Sequence, residues 1–157
     1  KNGKTVDPRD KKSTKVLQLE TAMGAAIECF PGASAILIPR TRFAPVKTTA
    51  DMLALMSDAY EVTSDHRMVM KAARNGVPPT VKLDDAYKFV DQMLTLVPNG
   101  PPSLIDCKKL TIEGEGVVFA AGVVLKGEVK IIGKGTVAAG TYENQTIGPY
   151  LAAVPIA

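Results

Sequence analysis

With 157 residues the chain has room for one domain or two small ones and can bury roughly 70% of the surface its unfolded form exposes. The formal charge of +3 is mild, and the basic excess at Lys1 to Lys15 has no aromatic residues between its cations, which argues against a nucleic-acid partner. No apolar run reaches the roughly eighteen residues of a membrane span and no signal-peptide pattern opens the chain; Cys29 and Cys107, far apart and in apolar surroundings, read as reduced thiols of a cytoplasmic protein.

Residues Lys1 to Lys15, with Gly3 and Pro8, read as a polar loop, and a first residue of Lys rather than Met suggests a processed or partial chain. Leu19, Ala22, Met23, Ala26, Ile27 and Phe30 then recur at three- and four-residue steps, the pattern of one helical face, and Pro31-Gly32 ends it. Gly24 lies on the flank of that face, where it would let the helix approach a sheet, and Gln18 and Glu20 lie at its entrance. Ala35 to Ile38 is a short apolar run suited to a strand buried on both faces, and Ala50 to Tyr60 reads as a second helix. Helix, buried strand and helix predict the end of an α/β layer structure. One strand makes no sheet, so its neighbours are expected from residues outside this sequence or from another chain.

Between strand and second helix lies a short loop with three cations, Arg40, Arg42 and Lys47, stiffened by Pro39 and Pro45. Thr48 or Thr49 can cap the helix, Asp51 falls in its first turn, and unpaired N–H groups there would add to the field of the cations. Two readings are open. The loop is a solvated basic connector, or Lys47 contacts a phosphate, a role that suits a compact charge on a long stem; Arg40 or Arg42 could equally clamp an internal carboxylate.

Glu61 to Pro79 reads as a polar connector. Its His66 is the only histidine, with no second ligand or nucleophile beside it, and reads as a surface residue rather than a general base. Asp84 and Asp85 start a third helix with Tyr87, Val90, Met93, Leu94 and Val97 on its apolar stripe, stopped by Pro98 to Pro102. The last segment changes character. Val117, Val123 and Val129 recur every six residues, as do Phe119, Leu125, Ile131 and Val137, with Gly122, Gly127 and Gly133 at the corners. Short strands of a parallel β-helix repeat in this way, because residues two apart share a face while each six-residue unit turns a corner. The alternative is an antiparallel meander with glycine turns.

The segments Val16-Leu17-Gln18-Leu19-Glu20-Thr21-Ala22-Met23-Gly24-Ala25-Ala26-Ile27 and Ile38-Pro39-Arg40-Thr41-Arg42-Phe43-Ala44-Pro45-Val46-Lys47-Thr48-Thr49-Ala50-Asp51-Met52-Leu53 resemble the eukaryotic UTP–glucose-1-phosphate uridylyltransferase (UDP-glucose pyrophosphorylase) family, and the likeness runs from about Lys15 to about Thr146. The resemblance implies the C-terminal portion of such an enzyme: residues 1–79 ending a Rossmann-like nucleotidyltransferase domain, 80–102 a linking helix and loop, and 103–157 a left-handed β-helix. It implies transfer between UTP and glucose 1-phosphate to give UDP-glucose and pyrophosphate, with Mg²⁺ on the triphosphate. Lys47, the lysine of the Phe-x-Pro-Val-Lys motif, is then the catalytic and phosphate-binding residue, Arg40 and Arg42 shape the loop, and no metal ligand is assigned.

In that family the glycine-rich nucleotide loop, the uridine pocket, most glucose contacts and the Mg²⁺ ligands precede the matching region, so the segment by itself is expected to be inactive and to need the upstream part of the protein. A UDP-N-acetylhexosamine or broad UDP-sugar pyrophosphorylase shares the general plan. A non-catalytic module in which the β-helix joins copies of the chain is the second class. A hexapeptide-repeat acyltransferase fits poorly, since it needs more turns and His66 lies outside the repeat.

Overall fold

The computed structural model describes residues 4–17, 23–39, 43 and 45–148, and the chain divides into a unit of residues 1–38 and a unit of residues 39–157.

In the first unit the expected polar loop closes on itself. Thr5 bridges Lys15 in antiparallel fashion, and the Val6 and Val16 N–H groups donate to Thr14 and Lys4 carbonyls at 2.9 and 3.0 Å. Asp7 and Asp10 turn the tip by accepting from the Arg9 and Lys12 N–H groups, both at 2.8 Å, which is how Asp side chains stabilise turns. The predicted first helix is seen as a 3₁₀ helix at Met23–Cys29; Gln18, Leu19, Glu20 and Ala22 lie outside the described residues. Its apolar stripe is not buried, Ile27 and Phe30 being 43% and 65% exposed. Short helices take most of their stability from packing an apolar face, and this one has none on which to settle into α geometry. A Cβ on Gly24 would meet nothing, so the expected close approach is not made. Ala35 to Ile38 likewise forms no strand. Ile36 is 88% and Leu37 95% exposed, because among the described residues no strand pairs with them to take their backbone groups or cover their side chains.

The second unit begins with α1, Thr49–Met56. It stops short of the predicted Tyr60 because the Ser57 hydroxyl donates to the Ala54 carbonyl at 2.6 Å with Ser57 itself extended. The predicted connector contains an antiparallel hairpin instead, β1 Tyr60–Val62 against β2 Met68–Met70. Asp65 and His66 turn it, with His66 at φ 60° and exposed. Then come a 3₁₀ turn at Ala72–Arg74, β3 Thr80–Lys82, a second 3₁₀ turn at Asp85–Tyr87 and α2 Val90–Leu96. The predicted third helix is thus two pieces. Asp84 caps the first, accepting from Ala86 N–H at 3.0 Å; Phe89 is extended and restarts the second, its N–H donating to Gln92 Oε1 at 3.1 Å. The break shifts the helical phase, so Met93, Leu96 and Val97 are buried while Val90 and Leu94 stay half exposed.

From Ser103 the chain winds as a parallel coil: β4 Ser103–Glu113, β5 Val117–Phe119, β6 Val123–Ile132, β7 Gly135–Val137, β8 Gly140–Glu143 and β9 Thr146–Ile147. Each strand pairs with the one a full turn later, Leu110 beside Val129, Val117 beside Gly135, Val123 beside Gly140 and Lys130 beside Thr146. All these pairings are parallel, which removes the meander. Three narrow faces result: the first halves of β4 and β6 with β8, their second halves with β9, and β5 with β7. Every member of the six-residue series, from Val117 to Val137, is 2% exposed or less. At the corner within β6, Gly127 has φ 61°, and a side chain there would collide with the amide of Asn144, which accepts from the Glu128 N–H at 3.0 Å; only glycine fits. The fold is therefore α/β with mostly parallel pairing. One core joins Leu53, Ala59, Tyr87, Met93 and Leu96 to the interior of the coil.

The coil's opening strand is held by two charged side chains. Asp58 accepts from Ser103 Oγ and the Leu104 and Ile105 N–H groups at 2.5, 2.7 and 3.1 Å. Arg74, only 9% exposed, donates to the carbonyls of Val77, Ile105 and Cys107 at 2.9, 3.0 and 2.6 Å.

Cys29 and Cys107 are both free thiols, but Cys29 is exposed rather than in apolar surroundings. Cys107 is fully buried, and burial pushes its thiol up to about 11, with the Arg74 charge and the Lys109 N–H opposing. A thiol raised from its ordinary 9.0 keeps its proton in the folded state after the unfolded chain has lost its own, so its contribution weakens as pH rises from 9 towards 11. Alkylation of the folded protein at neutral pH is expected to modify Cys29 and spare Cys107, with Cys107 reacting on alkaline unfolding; peptide mass mapping reads both sites.

Candidate functional site

The basic loop leads into α1 through Pro45, Val46, Lys47 and Thr48; Arg40 and Arg42 lie outside the described residues. Thr48 is the cap, at φ −134° and ψ 164°, and its hydroxyl oxygen accepts from the Asp51 N–H at 3.2 Å. The Asp51 carboxylate reaches back to accept from the Thr48 N–H, the Thr48 hydroxyl and the Lys47 N–H at 2.9, 2.8 and 3.1 Å. This is a full capping box. Burial pushes the Asp51 carboxyl up, but the Thr48 hydroxyl, the two N–H groups and the Lys47 charge together hold it below its ordinary 3.8.

The box corrects one expectation. The N–H groups of Lys47 and Thr48 are engaged by the Asp51 carboxylate and that of Asp51 by the Thr48 hydroxyl, so these three add nothing to the field available to a bound anion. Lys47 itself is exposed, its backbone fixed by Asp51 and its ammonium on the solvent side of the helix start. What the geometry supplies is one cation on a rigid mount.

Beside that mount lies a cleft of about 720 Å³. Phe43, Pro45 and Val46 of the loop, Ala54 and Leu55 of α1, Met68 and Met70 of β2, and Pro78, Pro79 and Val81 form its apolar walls; Asp51, Tyr60, Arg67, Lys71 and Thr80 are its polar lining. Lys47 is not among the lining residues. It follows Val46, which does line the cleft, and its charge acts on Asp51, which lines it as well. Arg67 is held by Asp65 at 2.6 Å, whereas Lys71 is half-buried and contributes charge at the hairpin's end. Burial pushes the Tyr60 phenol up, with Arg74 opposing. A shallower recess of about 310 Å³ on the coil's outer face is lined by Lys109, Glu128, Lys130 and Asn144. One of its cations, Lys130, is paired with Glu113 of the neighbouring strand at 2.8 Å.

The sequence reading placed no residue of the hairpin in the site, although Tyr60 to Val62 and Met68 to Met70 flank Ser64-Asp65-His66, a turn signal of ordinary hairpin kind. Among the described residues no three His, Cys, Asp or Glu side chains converge to hold a metal ion. No helix among the described residues is long and apolar enough to cross a membrane.

A parallel coil behind a capped helix and a cleft of this kind defines an α/β protein whose lysine-bearing loop faces a ligand-sized space. The sequence profile of UTP--glucose-1-phosphate uridylyltransferase matches residues 1–126. The chain is 40% identical over 141 residues to the UTP--glucose-1-phosphate uridylyltransferase of Pyrus pyrifolia, an alignment covering 90% of this chain and 30% of that protein. It superposes on the UDP-glucose pyrophosphorylase of Leishmania major with a TM-score of 0.79 at 49% identity, covering 93% of this chain and 32% of that one. For the Trypanosoma brucei protein described as UDP-glucose phosphorylase the TM-score is 0.80 at 47% identity, over 92% and 33% of the two chains. The chain belongs to the UTP–glucose-1-phosphate uridylyltransferase family, and it spans about a third of the length of these relatives.

The capping box gives the site its rigidity. Thr48→Ala removes the side-chain cap and is expected to lower stability by about 1 kcal/mol, the usual cost of losing such a cap; Thr48→Asp should retain most of it. Chemical denaturation of the two variants against the parent checks this.

Proposed function

We propose that the chain is the C-terminal portion of an enzyme that joins UTP and glucose 1-phosphate into UDP-glucose and pyrophosphate, reversibly, and that Lys47 is its phosphate-contacting catalytic residue. The observation that carries this reading is the mounting of Lys47: an exposed cation between Val46 and Asp51, which both line the cleft, on a backbone fixed by the Thr48 and Asp51 box. A phosphate oxygen of glucose 1-phosphate attacks the α-phosphorus of UTP in line. The new P–O bond forms as the bond from the α-phosphorus to the bridging oxygen breaks, and pyrophosphate leaves with the electron pair. Such transfers depend on positioning and charge neutralisation more than on covalent help from the protein. A preorganised ammonium is most useful where phosphate charge grows during the step.

Mg²⁺ in this reading arrives on the triphosphate and is held by groups of the whole enzyme outside the described residues. Residues 1–79 serve as the end of the Rossmann-like catalytic domain, 80–102 as a linker, and 103–157 as a left-handed β-helix through which copies of the chain can associate. The free thiols fit a cytoplasmic setting. The sequence from Arg40 to Lys47 fits the glucose branch of the family better than the UDP-N-acetylhexosamine branch, while the choice of sugar rests mostly with the upstream part of the enzyme.

In the full-length enzyme, Lys47→Ala is expected to lower kcat by roughly a hundredfold or more, the scale for losing one preorganised donor. A change confined to KM counts against the role. The chain alone is expected to catalyse no exchange of radiolabel between pyrophosphate and UDP-glucose, and robust exchange by it would overturn the need for the remainder of the enzyme.

A further inference from the structure

The Lys47 mount is tied to the coil by a short relay of hydrogen bonds that the capping box does not include. Thr49, the first residue of α1, donates its hydroxyl to the Tyr87 carbonyl at 2.6 Å, across 38 positions of sequence. The Tyr87 ring is 2% exposed, and its phenol oxygen accepts from the Val117 N–H at 2.8 Å, at the start of β5. One position is thus bonded through its backbone to the helix start and through its side chain to the coil. Asp84 adds a parallel link, accepting from the Gly114 N–H at 3.1 Å just before β5.

We infer that Thr49 and Tyr87 are positioning residues for the reaction, fixing where Lys47 stands relative to the parallel coil; the inference rests on the catalytic reading of Lys47. The box formed by Thr48 and Asp51 sets the local shape of the helix start but not its place in the molecule, because all its bonds run between residues 47 and 51. The apolar contacts of Leu53 hold α1 against the core, yet the force behind them is non-directional and does not by itself orient the helix start. The Thr49 hydroxyl supplies a directional bond one turn nearer to Lys47. Displacement of about 1 Å at a catalytic group is enough to cost up to a hundredfold in rate, so a tether two residues from the ammonium acts on the chemical step.

The test is a double-mutant cycle in the full-length enzyme. Thr49→Val removes the hydroxyl, keeps the shape and leaves the box intact; it is expected to lower kcat about tenfold with the KM values for both substrates little changed, and Thr49→Ser to restore it. In the Lys47→Ala background the same substitution is expected to change kcat by less than about twofold, since nothing remains to be positioned. Tyr87→Phe removes only the coil-side bond and is expected to follow the same pattern, which keeps the test open should one variant not accumulate as folded protein. An unchanged kcat in Thr49→Val, or an equal loss in both backgrounds, would overturn the inference while leaving Lys47 as the catalytic residue. Full activity of Lys47→Ala would instead sink the catalytic reading, and this inference with it.

Discussion

A parallel coil has to begin somewhere, and its first strand has no earlier turn with which to pair. The outward N–H and C=O groups of β4 would be left without partners at the edge of a buried core, which is costly for each group and an invitation to pairing with another chain. This molecule closes that edge in two ways. β3 pairs in parallel with Lys109 to Thr111 and covers the second half of the strand. Along the first half, Asp58 takes the N–H groups of Leu104 and Ile105, while Arg74 takes the carbonyls of Ile105 and Cys107. An acid and a base thus stand in for the missing strand.

That arrangement makes the coil dependent on what precedes it. Asp58 lies just past α1 and Arg74 just past the hairpin, so the elements that wall the cleft also terminate the coil. The buried guanidinium meets carbonyl dipoles rather than a carboxylate, and each N–H it commits is aimed by a backbone already fixed in the sheet. A buried cation is tolerable on those terms because its donors are satisfied, whereas the same charge with fewer partners would be a heavy burden. The relay through Thr49, Tyr87 and Val117 follows the same logic on the neighbouring face.

How much of this could be seen in the residues varies with how local the cause is. The six-residue period is plain because each coil buries its side chains in the same way, although the strand registers hold to it only at Val117 beside Gly135, β4 being shifted twice against β6. A cap at Thr48 or Thr49 and the Asp51 first-turn acid are legible for the same reason, since a capping box spans only four positions. Neighbouring signals misled where tertiary context decides. The apolar run at Ala35 to Ile38 carries the composition of a buried strand but finds no strand partner among the described residues, and the stripe of Ile27 and Phe30 stays exposed. The hairpin was passed over because its strands are three residues long, too short for alternation to stand out, and its apolar residues face a cleft rather than a core. Nothing in the sequence marks Asp58 or Arg74, whose partners in β4 lie thirty or more positions away.

The far end of the coil meets the edge problem differently. Among the described residues no strand pairs with the outer side of β7, β8 or β9, yet these strands are three, four and two residues long, so few backbone groups lie exposed in a row. Gly140 and Asn144 bracket β8 with positive φ, bending the chain before a flat edge can form, and Glu143 places a charge on it. Short, bent and charged edges are poor templates for indiscriminate strand addition. Tyr142 adds a fixed point, its phenol donating to the Ala138 carbonyl at 2.9 Å and its ring resting on the core. The two ends are therefore unlike in kind: the first is sealed by specific polar partners from elsewhere in the fold, and the last is made unattractive by its own geometry.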